Sequence, residues 1–494
     1  MRLLPKSNGA VEQDFFAASE AAVADTVLRG KLENATGRHL DHVAATRAEF
    51  PAYEAERDAS RRIKQDAIAR LDELLVQLKE RLEGNGCRVF FAADAAEARK
   101  YIVGLARERG ARRVVKGKSM ATEEIALNAA LAEEAGCEVV ETDLGEYIVQ
   151  LRGERPSHII TPAIHLSKED IGTLFHEKLN IPYTSEPEAL TGVARQRLRD
   201  TFLAADMGVT GANFAIAETG TLVLVENEGN GRMSSTLPEI FVAVMGIEKV
   251  IPSMADLSHF LEVLARTATG QKLTTYTNFL SGPRREGEAD GPREVHVVML
   301  DNGRSKMLAD PVLREALYCL RCGACLNVCP IYRRIGGHAY GSTYPGPIGS
   351  IISPSLFGGA TAHLPFASTL CGACREICPV KIDIPRILLH LRWKETAGKS
   401  DSGLPVPKWP RAARRARAGV ETFSRMASHP LMIRMMGRLA ALVIWPFARR
   451  GYVRWMPPPF SNWTRVRDFP VPRLRRRQVS SAAQSKAANR GTRA

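Results

Sequence analysis

RVFFAADAAEARKYIVGLARERGARRVVKGKSMATEEIALNAALAEEAGCEVVET, residues 88–142, decides the fold class. Three short segments rich in β-branched and aromatic residues, Arg88-Val-Phe-Phe-Ala92, Arg113-Val-Val-Lys116 and Glu138-Val-Val-Glu-Thr142, read as strands. Between them lie Ala/Glu/Arg-rich segments, Ala95 to Arg109 and about Thr122 to Ala135, with apolar residues at helical spacing. Strand–helix–strand–helix–strand predicts an α/β domain with a mainly parallel sheet, because parallel neighbours need a crossover long enough to hold a helix.

Downstream, His158-Ile-Ile-Thr161 is expected to be another strand. Phe214-Ala-Ile-Ala217 and Thr221-Leu-Val-Leu-Val-Glu226 flank Glu218-Thr-Gly220, a hairpin signal with glycine at the bend. Lys249-Val-Ile251 and Glu294-Val-His-Val-Val-Met299 complete the strand set, so one α/β domain over residues 85–300 accounts for the pattern. Upstream, residues 1–84 form an N-terminal helical segment. Ile63, Ala67, Leu71, Leu74 and Leu78 give Arg61 to Leu82 helical spacing, and Pro51 should interrupt the run before it.

The 494 residues suggest about two to four domains. Charge is unevenly placed. Asp401 to Ala494 holds 20 Lys and Arg against 3 Asp and Glu, a net +17, so residues 1–400 carry −3 of the chain's +14. Residues 396–494 are therefore a basic C-terminal extension, expected to be partly disordered. Lys399 to Pro410 reads as a linker, Arg411 to Arg450 as a basic amphipathic stretch, and Pro457-Pro-Pro459 precedes a low-complexity end. Such an extension suits an anionic lipid surface or an acidic partner; no nucleic-acid partner is expected. Met1 to Phe15 lacks the apolar core of a secretory signal, and Leu439 to Phe447 falls short of the roughly 20 apolar residues of a membrane span. The chain is expected in the cytoplasm or peripheral at the inner face of the membrane.

Seven of the nine cysteines fall between residues 319 and 378. Cys319-x2-Cys322-x2-Cys325-x3-Cys329-Pro330 is a complete ferredoxin-type run, in which three thiolates wrap one cluster and the fourth turns away to a second. Structural zinc usually takes two cysteine pairs across a longer loop, and fits this contracted run poorly. The second run, Cys371-x2-Cys374-x3-Cys378-Pro379, lacks a leading cysteine and has Ser368 in its place. Cross-ligation assigns Cys319, Cys322, Cys325 and Cys378 to the first cluster, a [4Fe-4S] centre. Cys329, Cys371 and Cys374 remain for the second. That site is a [3Fe-4S] cluster, or a [4Fe-4S] cluster completed by Ser368, His363 or a thiolate from elsewhere. Cys87 and Cys137 read as small buried hydrophobes. A mainly helical two-cluster domain over 301–395 follows, with a 41-residue insert, Pro330 to Leu370, between the runs.

In the α/β domain, Lys116-Gly-Lys-Ser-Met-Ala-Thr122 follows a strand and opens a helix, where amides and lysines can hold an anion. Gly208 to Thr221 and Glu226-Asn-Glu-Gly-Asn-Gly-Arg232 are polar loops that would make a pocket if they converge at strand ends. Lys116, Lys118, Glu218 and Arg232 are its candidate residues, Lys118 or Arg232 as counter-charges to a carboxylate.

Several segments together resemble a known family: Lys116 to Ile125, Ile159-Ile-Thr-Pro162, Gly208 to Thr221, Leu370-Cys-Gly-Ala-Cys374 with Cys378-Pro-Val-Lys-Ile382, and Asn462-Trp-Thr-Arg-Val-Arg-Asp-Phe-Pro470. They are similar to the lactate-utilisation iron–sulfur proteins (the LutB/YkgF family). The resemblance implies that the α/β domain is a LUD domain, related in fold to ribose-5-phosphate isomerase and CoA-transferase. It implies an electron-transfer subunit of a complex that oxidises L-lactate to pyruvate without NAD. The implied partners are a heterodisulfide-reductase-like cysteine-rich subunit and a smaller LUD-domain subunit. Apart from the resemblance, the basic extension is expected to reach a membrane surface or quinone pool. Another 2-hydroxy acid, such as glycolate, is an alternative substrate. A different class of function, a LUD transferase or ligase with structural or regulatory clusters, would offer Glu218 as a carboxylate nucleophile.

Overall fold

The computed structural model describes residues 14–397, 411–449, 451–456 and 468–471. The chain folds as two compact units, Met1–Pro407 and Lys408–Ala494.

The first unit holds ten strands: β1 (Arg88–Ala92), β2 (Arg113–Lys116), β3 (Glu138–Glu141), β4 (Met207–Thr210), β5 (Phe214–Ile216), β6 (Thr221–Glu226), β7 (Ile240–Gly246), β8 (Val250–Ile251), β9 (Tyr276–Leu280) and β10 (Glu294–Leu300). Six of them form one sheet in the order β1-β10-β7-β4-β2-β3, and every ladder in it is parallel. The others form a mixed sheet, β8-β5-β6-β9, built around the β5–β6 antiparallel hairpin.

The parallel sheet is buried on both faces, and period-two alternation sends its side chains to separate cores on the two faces. On β7, Phe241, Ala243 and Met245 enter one core, while Ile240, Val242 and Val244 enter the other. The second of these is closed by α5 (Ala95–Glu108) and α7 (Leu127–Ala135) through Ile102, Leu105, Leu127 and Leu131. The first extends without a break from Leu32, through the mixed sheet, to the cysteine segments and Leu391. The N-terminal helices α1 (Phe15–Ala24), α2 (Thr26–Ala48), α3 (Tyr53–Ala69) and α4 (Leu71–Gly84) contribute Leu32, Val43, Ile68, Leu74 and Leu78 to it.

Some sequence expectations are revised. Arg61 to Leu82 is not one helix: α3 ends at Arg70 (φ −114°, ψ 33°), where no proline announces a break. The helix expected from Thr122 to Ala135 is also divided, into α6 (Met120–Glu124) and α7, by Ala126 in the left-handed region (φ 52°). The Ile125 carbonyl freed there accepts from Arg99 Nη1 at 2.9 Å. His158 to Thr161 is a bend rather than a strand, because His158 Nδ1 accepts from the amides of Ile160 and Thr161 at 3.1 and 3.2 Å. Strands β4, β7 and β9 carry little alternation in the sequence, and the structure supplies them. In β4 a Cβ on Gly208 would stand 1.7 Å from the Ser234 carbonyl oxygen, so glycine is what lets the helix Asn230–Thr236 pack on the strand.

The second unit contains helices Arg411–Ala427 and Pro430–Ile444 and a small antiparallel sheet of Ala448–Arg449, Tyr452–Val453 and Phe469–Pro470. The expected linker at 399–410, Pro457-Pro-Pro459, the low-complexity end and most of Asn462 to Pro470 lie outside the described residues. Among the described residues no helix is long and apolar enough to cross a membrane.

Candidate metal centres and an adjoining cavity

The two cysteine runs fold alike because they share Cys-Gly-Ala-Cys. Gly323 (φ 73°) and Gly372 (φ 87°) take the left-handed turn after Cys322 and Cys371, and one short helix follows each, Ala324–Asn327 and Ala373–Ile377. Arg321 is also left-handed (φ 61°), which aims its amide at Cys319 Sγ, 3.3 Å away. Other sulfurs also face backbone amides: Cys322 that of Ala324, Cys325 that of Ile348, Cys374 that of Arg375.

All seven thiols are free; Cys322, Cys325, Cys329, Cys374 and Cys378 are buried, Cys319 is half-buried and Cys371 exposed. Their mutual electrostatics divide them. Cys322 feels Cys378 and Cys319, and Cys325 feels Cys322 and Cys319 and, more weakly, Cys374. Cys329 and Cys374 feel Cys371, and Cys374 feels Cys329. The fold thus brings Cys378 of the second run to the first run, and Cys329 of the first run to the second.

Burial first, and neighbouring thiols second, push Cys374 up to about 12, and burial pushes Cys378 up to about 11. A packed set of desolvated thiols resists ionisation unless a cation sits among them, which inverts the balance. The donor set therefore fits iron–sulfur ligation. Ser368 Oγ accepts from the Leu370 amide at 3.1 Å. The His363 ring lies tilted at 45° to Phe15, centroids 5.3 Å apart, with Nε2 buried and unpartnered. Cys87 and Cys137 are buried in the apolar cores, their sulfurs near the Ser281 and Ala111 carbonyls.

The N-terminal helices hold the second run by its backbone. Arg57 Nη2 donates to the carbonyls of Glu376 and Cys378, both at 2.7 Å, and its Nε donates to Cys378 O at 3.0 Å. Arg47 Nη2 donates to Ile377 O at 2.9 Å, and Arg61 donates to Lys381 O. The α/β domain grips the first run through the 157–161 bend: Tyr332 donates its hydroxyl to Ser157 O at 2.7 Å, and His158 Nε2 meets Asn327 Oδ1.

A cavity of about 300 Å³ opens between the strand-end loops and the first run. Gly117, Lys118, Asn213, Glu226, Glu228 and Lys249 line it from the α/β side, and Arg321, Cys322 and Tyr344 close it. Of the four candidates from sequence only Lys118 reaches it, with Nζ 2.5 Å from Ile160 O and 3.7 Å from Asp143. Lys116 is buried between Glu123 and Glu141, each at 2.7 Å, a structural ion cluster. Glu218 accepts from the Met254 amide at 3.0 Å, and the Arg232 guanidinium lies 4.9 Å over the Tyr276 ring; neither lines the cavity. The residues missed in sequence are Lys249, Arg321 and Glu228. Burial pushes Lys249 down to about 8, and burial together with Asp143 pushes Glu228 up to about 7. Arg321 was legible as the cation between two cysteines; Lys249 and Glu228 stand out only once the chain is folded.

The family model for the LUD domain matches residues 75–300, and that for the 4Fe-4S dicluster domain matches residues 315–382. The lactate utilization protein B of Macrococcus caseolyticus is 44% identical over 464 residues, covering 93% of this chain and 95% of that protein. That of Bacillus pumilus is 44% identical over 451 residues, covering 91% and 92%. That of Bacillus subtilis is 44% identical over 448 residues, covering 90% and 91%.

Proposed function

The chain belongs to the lactate utilization protein B family, and from that premise we propose that it is the iron–sulfur electron-transfer subunit of an NAD-independent complex oxidising L-lactate to pyruvate. The observation that carries this reading is the division of seven free thiols into two sets that exchange one member between runs. On this reading Cys319, Cys322, Cys325 and Cys378 hold one cluster, and Cys329, Cys371 and Cys374 hold the other.

Oxidising a 2-hydroxy acid removes the carbinol hydrogen and the hydroxyl hydrogen, releasing two electrons and two protons. Clusters held by these thiols would supply one-electron acceptance and donation, which suits handing the pair on singly to a quinone or another carrier. The chain's own part is to fix the thiols and tune them. Amides of Ala324, Ile348 and Arg375 point at sulfur and stabilise its negative charge. Arg47, Arg57 and Arg61 tie the 376–381 backbone to α2 and α3, which fixes the position of Cys378.

The partners in this reading are a cysteine-rich heterodisulfide-reductase-like subunit and a smaller LUD-domain subunit. Docking at an anionic membrane surface is supported by the helix Pro430–Ile444. It exposes Leu431, Met435, Leu439 and Leu442 along one stripe, and Arg434 and Arg438 are exposed on the same helix.

The test is the visible spectrum of the anaerobically purified protein with its partners, before and after adding L-lactate. Brown absorbance that bleaches supports the reading. Brown absorbance that bleaches with glycolate but not with lactate transfers it to another hydroxy acid, and absorbance indifferent to every 2-hydroxy acid overturns it.

A further inference from the structure

We infer that the cavity against Cys322 is a binding site for the carboxylate of a small organic acid, anchored by Arg321 and Lys249. Arg321 carries the argument. Its side chain is only 10% exposed, its guanidinium lies 4.8 Å over the Tyr344 ring, and Nη2 stands 3.4 Å from Glu248 Oε1. Nη1 is buried, lacks any partner, and belongs to a residue lining the cavity. A buried guanidinium donor left unpaired is costly, so a site that keeps one has a use for it.

Glu248 does not supply the missing partner. Its Oε2 already accepts from Arg304 Nε at 2.6 Å, and Arg304 spends its other nitrogens on Glu124 at 2.9 Å. Lys249 is the next residue, lines the same cavity, and has no ion pair among the described residues. Arg321 and Lys249 therefore share with Lys118, which is held by Ile160 O and Asp143, a space of about 300 Å³, at the small end for a ligand site. An anion with two oxygens suits a guanidinium edge and an ammonium together.

The opposite wall limits what else the ligand carries. Asp143, Glu226 and Glu228 line the cavity there, so a second anionic group is repelled while a hydroxyl donor is welcome. The chemistry fitted is a small monocarboxylate bearing a hydroxyl group. Its identity as L-lactate rests on the function proposed above; the existence of the carboxylate site does not.

The test uses anaerobically purified full-length protein with its iron and sulfide assayed, titrated calorimetrically with L-lactate, glycolate and acetate. Wild type should bind the hydroxy acids. Arg321→Gln and Lys249→Gln should each weaken binding by about tenfold or more, as expected for losing one charged hydrogen bond. Arg232→Gln, outside the cavity, should bind as wild type does. Lys249→Gln, remote in sequence from every cysteine, should keep its iron content and visible spectrum. If Lys249→Gln and Arg321→Gln keep their iron and bind as tightly as wild type, the cations only balance the charge of the first cysteine set and the inference fails. It also fails if wild type binds none of the three acids at millimolar concentration. Binding that depends on both cations without lactate-driven bleaching in the complex would leave the site standing and remove the lactate function. Bleaching in the complex with an unaltered KM in both variants would do the reverse.

Discussion

His158 Nε2 donates to Asn327 Oδ1 at 3.1 Å, and this joins the bend after the third strand of the LUD domain to the short helix between Cys325 and Cys329. The tautomer follows from the partners: Nδ1 accepts from the Ile160 and Thr161 amides, so the proton sits on Nε2. Burial pushes His158 down to about 3, so the ring is neutral in the folded protein at physiological pH.

This makes a pH prediction with a definite sign. In the unfolded chain the imidazole takes up a proton below about 6.5. Between there and about 3 the unfolded state binds more protons than the folded state, so His158 loses its stabilising contribution as pH falls through that window. A His158→Gln protein should be about 2 kcal/mol less stable at pH 7.5. Its stability relative to wild type should improve at pH 5.5. Parallel thermal melts of the anaerobic proteins check this, and an identical deficit at both pH values would contradict it.

Arg57 should behave as a clamp on the second run. Its guanidinium is buried and serves the carbonyls of Glu376 and Cys378 together, a fork that a lysine cannot reproduce. Arg57→Ala should cost about 3 kcal/mol and lower the iron retained after gel filtration, with Arg57→Lys recovering only part of either. Melting temperature and iron per chain are the readouts.

Lys116 is a structural cation. It is buried with Glu123 and Glu141 on either side, each 2.7 Å from Nζ, and Thr122 Oγ1 at 2.9 Å. Lys116→Met leaves two carboxylates facing each other in a buried site, and should destabilise the protein by about 3–5 kcal/mol. Carboxylate binding per folded molecule should not change, because Lys116 does not line the cavity. Denaturation and calorimetry on the same preparation separate the two effects.

Much of this was legible in the chain. The strands at 88–92, 113–116 and 138–141 show short β-branched segments between helices, and they appear where the pattern puts them. Ile240 to Gly246, the strand at the middle of the parallel sheet, was not. Buried on both faces, it is apolar throughout and has no alternation to mark it. The cysteine spacing announced a two-cluster domain, but the cavity beside it joins residues 117, 228, 249 and 321, which only tertiary contacts bring together. Lys116 and Lys118 looked equivalent in sequence. One turned inward to two glutamates and the other toward the cavity, because Lys116 is the last residue of β2 while Lys118 lies past it, in the loop that leads to α6.

The exchange of cysteines between runs gives the most discriminating prediction. Ligand assignment by sequence order would pair Cys378 with Cys371 and Cys374, whereas the fold sets it beside Cys319 and Cys322. Cys322→Ala and Cys378→Ala should therefore abolish the same electron paramagnetic resonance signal of the reduced or oxidised protein. Cys329→Ala and Cys374→Ala should abolish the other, and each variant should lose roughly half of the iron, as loss of one of two clusters requires. Cys374→Ser should also stop lactate oxidation by the complex while the first signal persists. Should Cys378→Ala instead remove the signal lost in Cys374→Ala, the ligands would follow sequence order and the crossing would be wrong. A crossed arrangement places the two clusters in one shared shell of protein, with Cys325 within electrostatic reach of Cys374.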